Sequence, residues 1–324
     1  MKSSVLHRRK TGNRGRSSKF EFGGMSMIRG LYTAASGMIT EQRRHDTITQ
    51  NIANINTPGY KQVSSVTHSF PETLISIIGD KQSGNSRRIG KLATGVFAEE
   101  GLASYAQGDL KETGKRSDFA LLSSIGMNHP ATGELIPFDA SGKYVDDNGE
   151  VFYRPEAFFT VMDKDNQLRY TRDGNFTVAP DGALLTSQGY RVLDMDHNPV
   201  VLPAGVSIDS LQRDSVGRLF YYNDAGIRED VGNLGISVAD RPQELVRDGN
   251  GVYREVAGLG PNVRQLTNRE GAEVRQGYLE VSNVDPAQSM VDLMAAQRAY
   301  ESNQKIVQYY DKSLDKAVNE VGKV

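Results

Sequence analysis

The stretch Asp285-Pro-Ala-Gln-Ser-Met-Val-Asp-Leu-Met-Ala-Ala-Gln-Arg-Ala-Tyr300-Glu-Ser-Asn-Gln-Lys-Ile-Val-Gln-Tyr-Tyr310-Asp-Lys-Ser-Leu-Asp-Lys-Ala-Val-Asn-Glu-Val321 fixes how the rest of the chain is read. Asp caps a helix and Pro suits its first turn, and no later Gly or Pro interrupts the run. Leu293, Tyr300, Val307, Leu314 and Val321 recur at seven-residue steps, with Ala296, Tyr310 and Ala317 widening the same face. That spacing predicts a long helix with a coiled-coil-like seam. The flanking Gln297, Gln304 and Asp311 are polar, so a seam formed by one isolated pair of helices is weak.

A second helix is expected at the other end. From Met27 the residues Ile28, Leu31, Ala35, Met38, His45 and Ile52 follow helical spacing with the same seven-residue tendency. Pro58 disfavours helical geometry at Thr57 and Gly59 follows, so this helix should stop near residues 54–56, with Pro58-Gly59 setting the exit angle. Asn51, Asn54 and Asn56 offer amides at that end, either to the last helical carbonyls and a simple turn or to a neighbouring chain.

Between the helices the pattern changes. Residues 62–118 are polar and irregular and read as an extended or loop linker, with a Gly/Ser/Arg loop at 84–90; residues 71–78 fit a short helix or a strand equally. From Phe119 to about 281, short runs such as Phe158–Met162, Leu168–Thr171, Ala183–Thr186, Val206–Ile208, Leu219–Tyr222 and Leu234–Val238 alternate with turn pairs. Asn148-Gly149, Asp173-Gly174, Asp181-Gly182 and Asp248-Gly249 are such pairs. The expected fold class is α+β: long N- and C-terminal helices (27–61 and 282–324) forming a coiled-coil-like domain, plus a central antiparallel β-rich domain (119–281) with a Gly/Asp/Pro-rich insertion at about 123–155.

Composition removes several functions. With 38 Lys+Arg against 40 Asp+Glu the net charge is -2, which gives no whole-chain case for nucleic-acid binding. Seven of the basic residues and one acid fall in residues 1–24, however, so this leader is strongly basic. It reads as a nucleic-acid arm, a disordered tail or the product of a mis-called start; the last is favoured, with translation expected to begin at Met27, so the leader is set apart as residues 1–26. It lacks the ~7–15-residue apolar core of a secretory signal. No apolar run approaches the ~20 residues of a membrane span, so no membrane insertion is expected. Cysteine is absent, which excludes disulfides, thiolate metal sites and Cys nucleophiles.

Catalytic motifs are missing too. The five histidines, His7, His45, His68, His129 and His197, include no helical pair able to grip a metal. Asp194-Met-Asp-His-Asn198 begins like a calcium loop, but Pro199 stands where the loop needs Gly and Gly205 where it needs the bidentate Glu. Asp163-Lys-Asp-Asn166 reads as a hairpin turn. Asn175-Phe-Thr177 matches a glycan sequon, a pattern short enough to arise by chance. No cofactor, metal or catalytic residue is expected.

With those residues in view, Asn51-Ile-Ala-Asn-Ile-Asn-Thr-Pro-Gly-Tyr-Lys61, after Ile28-Arg-Gly-Leu-Tyr-Thr-Ala-Ala-Ser-Gly-Met38, closely resembles the N-terminal signature of bacterial flagellar rod and hook proteins. Gln276-Gly-Tyr-Leu-Glu-Val-Ser-Asn-Val-Asp285, Met290-Val-Asp-Leu-Met294 and Gln297-Arg-Ala-Tyr-Glu-Ser-Asn303 resemble the C-terminal signature. Gln107-Gly-Asp-Leu-Lys-Glu-Thr-Gly114 and Tyr170-Thr-Arg-Asp-Gly-Asn-Phe176 match motifs between them. The resemblance covers most of residues 27–324 and is nearest to the distal-rod type, including the paired rod/hook proteins of Gram-positive bacilli. It departs at Arg154–Ala157, where the family carries Gly-Asp-Gly before its Phe-Phe, and at the insertion.

The resemblance implies a structural, non-enzymatic subunit of the flagellar basal body, in the rod or rod/hook junction. Such a subunit polymerises with itself and with other rod and hook subunits into an extracytoplasmic helical tube that transmits torque. It would leave the cell through the flagellar export apparatus without a cleaved signal peptide. Ile28, Leu31, Ala35, Met38, Asn51, Asn54, Asn56, Pro58, Gly59, Leu293, Tyr300, Val307, Leu314 and Val321 would form its assembly interface, since apolar helix faces of this kind are buried by neighbours in an open heterologous polymer. The alternatives are an adhesin-like or rod-associated binding module that presents the β-domain on a helical stalk, a hook subunit, or a wall-cutting enzyme, which needs a carboxylate pair that no segment displays convincingly.

Overall fold

The computed structural model describes residues 21–77, 87–99, 101–139, 142–214, 217–249, 251–256, 262–266 and 271–321, with the backbone alone at 21–28, 73–77, 87–89 and 320–321. Residues 1–20 of the leader and 84–86 of the expected loop lie outside the described residues. The chain is α+β, and it divides into two compact units. One comprises residues 1–43, 67–99 and 296–324; the other comprises 44–66 and 100–295. Helix α1 spans Glu21–Ala53 and helix α2 spans Pro286–Lys316, followed by a π-helical turn at Ala317–Val321. Helix α1 therefore begins ahead of Met27, inside the segment read as leader.

Both helix ends follow their local chemistry. Asp285 Oδ1 accepts the backbone N–H groups of Ala287 and Gln288 at 2.8 and 3.1 Å, the expected cap on α2. At the end of α1 Asn54 Nδ2 donates to the Gln50 carbonyl at 2.8 Å, which satisfies one of the carbonyls a helix end leaves unpaired. Gly59, with φ +67, then takes a backbone conformation that only Gly reaches without strain.

In the first unit, segments read as linker form two antiparallel pairs: Thr67–Ser69 with Val96–Ala98, and Thr73–Ile77 with Arg87–Leu92. Residues 71–78 thus contain a strand. The returning segment lies along α1 and is held by side chains three and seven residues apart on one helix face. Thr33 Oγ1 donates to the Thr94 carbonyl at 3.1 Å, Ser36 Oγ accepts from Val96 N–H at 3.3 Å, and Arg43 Nη1 donates to the Ala98 carbonyl at 3.0 Å. On another part of α1 two glycines seven residues apart admit α2: a Cβ on Gly30 would collide with the Tyr310 ring, and one on Gly37 would lie 2.9 Å from Asn303 Nδ2.

The second unit is built on a nine-stranded antiparallel sheet. Its central strand Glu156–Met162 pairs Leu168–Thr171 on one side, and Arg191–Val192 and Ile236–Ala239 in succession on the other. Both faces of that strand are covered, so Glu156 through Val161 are all buried. The core packs Phe119, Phe159, Phe176, Leu184, Leu219 and Ile236 together. A separate sheet runs Gln212–Arg213, Arg218–Tyr222, Arg228–Asn233. The last segment before α2 closes the unit: Ala272–Gln276 pairs Phe119–Ser123, and Tyr278–Glu280 pairs Leu110–Glu112.

Two local readings change. Val206–Ile208 carries no strand; a short 3-10 turn covers Ile208–Ser210. Asp173-Gly174 is no hairpin turn: a Cβ on Gly174 would collide with the Phe119 carbonyl oxygen, so Gly is needed there for close approach of two backbones. Asp163–Gln167 and Asp194–Asn198 form the same tight loop, in which Asp Oδ1 accepts the N–H groups two and four residues on, at 2.8 Å in each case. The fourth residue of each, Asn166 and His197, has positive φ. Asp146–Glu150 and Asn223–Ile227 repeat the pattern with Gly in that place. These are side-chain-closed hairpin turns, and among the described residues no group of three or more His, Asp or Glu is placed to hold a metal. Among the described residues no helix is long and apolar enough to cross a membrane.

Candidate assembly site

Three of the motifs quoted above meet inside the second unit, around a closed cluster of charge. Lys61, at the end of the Asn51–Lys61 motif, is buried and directs Nζ to Glu280 Oε1 at 2.7 Å and to the Ala106 carbonyl at 2.9 Å. Glu280, from the C-terminal motif, also accepts Gly108 N–H at 2.9 Å. Its other oxygen lies 3.4 Å from Nη1 of Arg172, which comes from the Tyr170–Phe176 motif. Arg172 is wholly enclosed; Nη1 donates to the Leu121 carbonyl at 2.7 Å and Nη2 pairs Glu156. The Glu156 oxygen left over faces Arg154 Nη2 at 3.6 Å.

Two cations and two carboxylates are thereby removed from water in matched number. Burial raises the Glu280 pKa, but Arg172 and Lys61 outweigh it and hold the carboxyl below the ordinary glutamate range. Burial and the Arg172 charge together lower the Lys61 pKa. Such pairing is required here, because an uncompensated buried charge costs several kcal/mol. The backbone fits tightly round the cluster. Gly59 N–H donates to the Glu280 carbonyl at 2.8 Å, and a Cβ on Gly59 would lie 2.6 Å from Arg172 Cβ.

Both helix ends are fastened beside this cluster. Asn51 is 3 % exposed; its Oδ1 accepts from Tyr60 Oη at 3.1 Å and Val63 N–H at 3.0 Å, and its Nδ2 donates to the Val63 carbonyl at 2.7 Å. Asn283, two residues before the α2 cap, takes Gln62 N–H at 2.6 Å and donates to the Ser104 and Ala106 carbonyls. Arg247 stacks over Tyr60 at 4.7 Å and donates to the Lys61 carbonyl at 2.7 Å.

The residues selected by periodicity fall into distinct environments. Leu31, Ala35 and Met38 on α1, and Leu293, Tyr300 and Val307 on α2, are partly buried. Leu314 is exposed, as is Asn56; Asn54 and Pro58 are partly buried and Gly59 is buried. The side chains of Ile28 and Val321 lie outside the described residues. The most exposed large apolar groups on α1 and α2 are others. In the first unit they are Tyr32, Ile39 and Tyr309, exposed by 68 %, 57 % and 70 %; in the second they are Met290, Val291 and Met294, each more than half exposed. Tyr32 and Ile39 share one face of α1, and Met290 and Met294 share one face of α2. Sequence reading passed over these residues and over Arg172 and Glu280, although all but Ile39 and Tyr309 stand inside the quoted motifs.

Comparison with known proteins places three family descriptions along the chain. Residues 31–61 match the flagella basal body rod protein family, residues 155–221 the D1 domain of the flagellar hook protein FlgE/F/G, and residues 275–320 the C-terminal region of flagellar basal body rod FlgEFG proteins. Among curated relatives, the flagellar hook-basal body complex protein FlhO of Bacillus subtilis is 33% identical over 92% of this chain and 100% of its own length. The flagellar basal-body rod protein FlgG of Borreliella burgdorferi is 30% identical over 90% of this chain and 98% of its own. FlgF of Caulobacter vibrioides is 28% identical over 92% of this chain and 100% of its own.

Proposed function

The chain belongs to the flagellar basal-body rod and hook family, and from that membership we propose that it is a distal-rod or rod–hook-junction subunit that polymerises into a helical, torque-carrying tube. Its role is structural, not enzymatic, and its place is the flagellum. In this reading residues 27–61 and 282–324 pair as the coiled-coil-like rod domain and 119–281 form the central β-rich domain. The chain reaches its place through the flagellar export apparatus, and its partners are other copies of itself and the neighbouring rod and hook subunits.

The observation that carries the proposal is the apolar area left open on helices that already have one covered face. Tyr32, Ile39 and Tyr309 in the first unit, and Met290, Val291 and Met294 in the second, are large apolar groups open to water on helices that also carry partly buried seam residues, and exposed apolar area on a helix face marks an interaction surface. Leu293, Tyr300 and Val307 then serve the contact inside the subunit, and the open faces serve contacts between subunits. Asn51 is used inside the subunit and is removed from the interface; Asn56 and Leu314 stay in it. A patch that meets a different patch on the next copy makes a heterologous contact, which extends without closing.

The test is replacement of the native gene by Met294→Asp. Burying the native side chain is worth about 1.5–3 kcal/mol and a buried unpaired carboxylate costs several more. The penalty recurs at every subunit of a polymer. We expect non-motile cells whose basal bodies stop short by electron microscopy, while the purified subunit keeps the parent's melting transition to within ~0.5 kcal/mol, as surface changes do. Normal rods in these cells would remove the α2 face from the assembly contact.

A further inference from the structure

The buried charge cluster draws its members from parts of the chain that are far apart in sequence. Lys61 and Glu280 are separated by 219 positions and Arg172 and Glu280 by 108. Glu156 and Arg172 lie 16 apart, Glu156 at the start of the central strand and Arg172 just past the end of the strand Leu168–Thr171 that pairs with it. Arg172 finds one carboxylate, Glu156, within the central part of the chain, whereas the carboxylate paired with Lys61 comes only with the segment 272–283. Without that segment, two cations would face one carboxylate. The segment that brings Glu280 also supplies the strands that pair Phe119–Ser123 and Leu110–Glu112, and it leads directly into the α2 cap at Asp285.

We propose that the Lys61–Glu280 pair is a fold-completion latch, which withholds the native β-domain until the segment 272–283 docks and thereby makes that domain's folding conditional on the far end of the chain. A chain whose C-terminal part is missing, undelivered or held elsewhere leaves Lys61 and Arg172 in excess at a site that excludes water. Docking restores neutrality, brings Gly108 N–H and Gly59 N–H their acceptors on Glu280, and places the start of α2 beside the end of α1 in one step. The finished helix pair is then offered only by a complete subunit. The latch acts within one chain and stands apart from the reading of the helices as an assembly surface.

The test uses the full-length chain in dilute solution, so that it reads folding whether or not the protein enters a polymer. Glu280→Gln keeps an oxygen for Gly108 N–H but leaves one cation in excess. Lys61→Met removes that cation, and the double variant is again neutral, with Arg172 and Glu156 still paired. Refolding from denaturant is followed by near-ultraviolet circular dichroism of the tyrosines. A latch that must close before the domain settles places the effect on folding, not on unfolding. Glu280→Gln is therefore expected to refold at least tenfold more slowly than the parent with little change in unfolding rate. Lys61→Met/Glu280→Gln should return to within threefold of the parent's refolding rate. If Glu280→Gln proves unable to fold at all, recovery of that rate by the double variant still supports the latch. A parental refolding rate in Glu280→Gln, an effect confined to faster unfolding, or a double variant no faster than the single one would each overturn it.

Discussion

The charge cluster and the helix faces solve opposite problems with the same two chain ends. At the cluster, Lys61, Arg172, Glu156 and Glu280 are buried and matched within one subunit, and nothing there is left for a neighbour. Along the helices, Tyr32, Ile39, Met290 and Met294 are large, apolar and open to water. The second arrangement leaves the monomer with exposed apolar area, whereas the desolvation cost of the first is offset inside the subunit by the pairing. The difference teaches that interior and interface cannot be separated by residue type here. Charged residues form the closed interior junction and apolar residues form the open surface, the reverse of the usual expectation.

The comparison breaks most sharply at Arg172. Replacing it by Met leaves Glu156 facing only the partly exposed Arg154, and leaves Glu280 with Lys61 alone. Removing one partner from a buried ionic group costs about 3–5 kcal/mol. Arg172→Met should therefore lower the unfolding free energy of the β-domain by that amount, read as a lower urea midpoint, or leave it unfolded, with proteolysis inside residues 119–281. An unchanged midpoint would mean that the cluster is wetter and weaker than its burial implies.

Gly37→Leu probes the other side of the comparison, inside the first unit. A side chain there meets Asn303, which must swing away. Overpacking of this kind costs about 1–3 kcal/mol. The cost should stay local: hydrogen exchange should quicken over 29–43 and 296–316, while amides in the strand Glu156–Met162 keep the parent's protection. Equal loss of protection in both places would show that the helices and the β-domain melt as one body.

How much of this was legible beforehand depends on which physical signal carried it. The α2 start was written in Asp285-Pro286, because capping is local chemistry. The strands Leu168–Thr171 and Leu219–Tyr222 were legible from short β-prone runs between turn signals. Residues 62–118 were read as linker because strands such as Val63–Ser64 and Thr67–Ser69 are too short to leave a periodic trace, and the longer pair Thr73–Ile77 and Arg87–Leu92 does not alternate apolar with polar residues. Asp173-Gly174 looked like a turn because the dipeptide carries turn chemistry; the contact with Phe119 that demands Gly lies more than fifty residues away. Seven-residue periodicity found Leu293, Tyr300 and Val307, a partly buried stripe, and so passed over the more exposed Met290 and Met294. Lys61, Arg172 and Glu280 were hidden by their charge, which ordinarily means exposure. A partial signal was the presence of charge in all three motifs, although Asp173 and Asp285 stand in the same motifs as Arg172 and Glu280.

A graded test of the junction is pH. The folded-state pKa of Glu280 lies below its unfolded value, chiefly because Arg172 and Lys61 outweigh the effect of burial. A depressed carboxyl contributes stability that is complete above the unfolded value, about 4.3, and disappears as pH falls through the folded one. Urea midpoints should thus hold from pH 7 to about pH 5 and fall below it. In Lys61→Met/Glu280→Gln the fall should be shallower, whereas Met294→Asp should not change the acid limb of the β-domain. An identical acid limb in parent and double variant would mean that other carboxylates set it.

The smallest effect belongs to neither region, and it guards the comparison against a mistaken third site. The Asp194–Asn198 loop has the look of a cation loop in sequence, but Asp194 Oδ1 is engaged by the N–H groups of Asp196 and Asn198 at 2.8 Å. A turn needs only an acceptor at that position, whereas a cation needs the negative charge. The chain contains the control already, since Asn223 closes the equivalent loop through Ala225 and Ile227. Asp194→Asn should therefore be neutral to within ~0.5 kcal/mol. Asp194→Ala should cost roughly 1 kcal/mol through the two lost hydrogen bonds at an exposed turn. Neither variant should alter assembly, and calcium should leave the melting temperature of the parent unmoved. A calcium-dependent rise in melting temperature that Asp194→Asn abolishes would make the loop a binding site, and the molecule would then have three specialised regions in place of two.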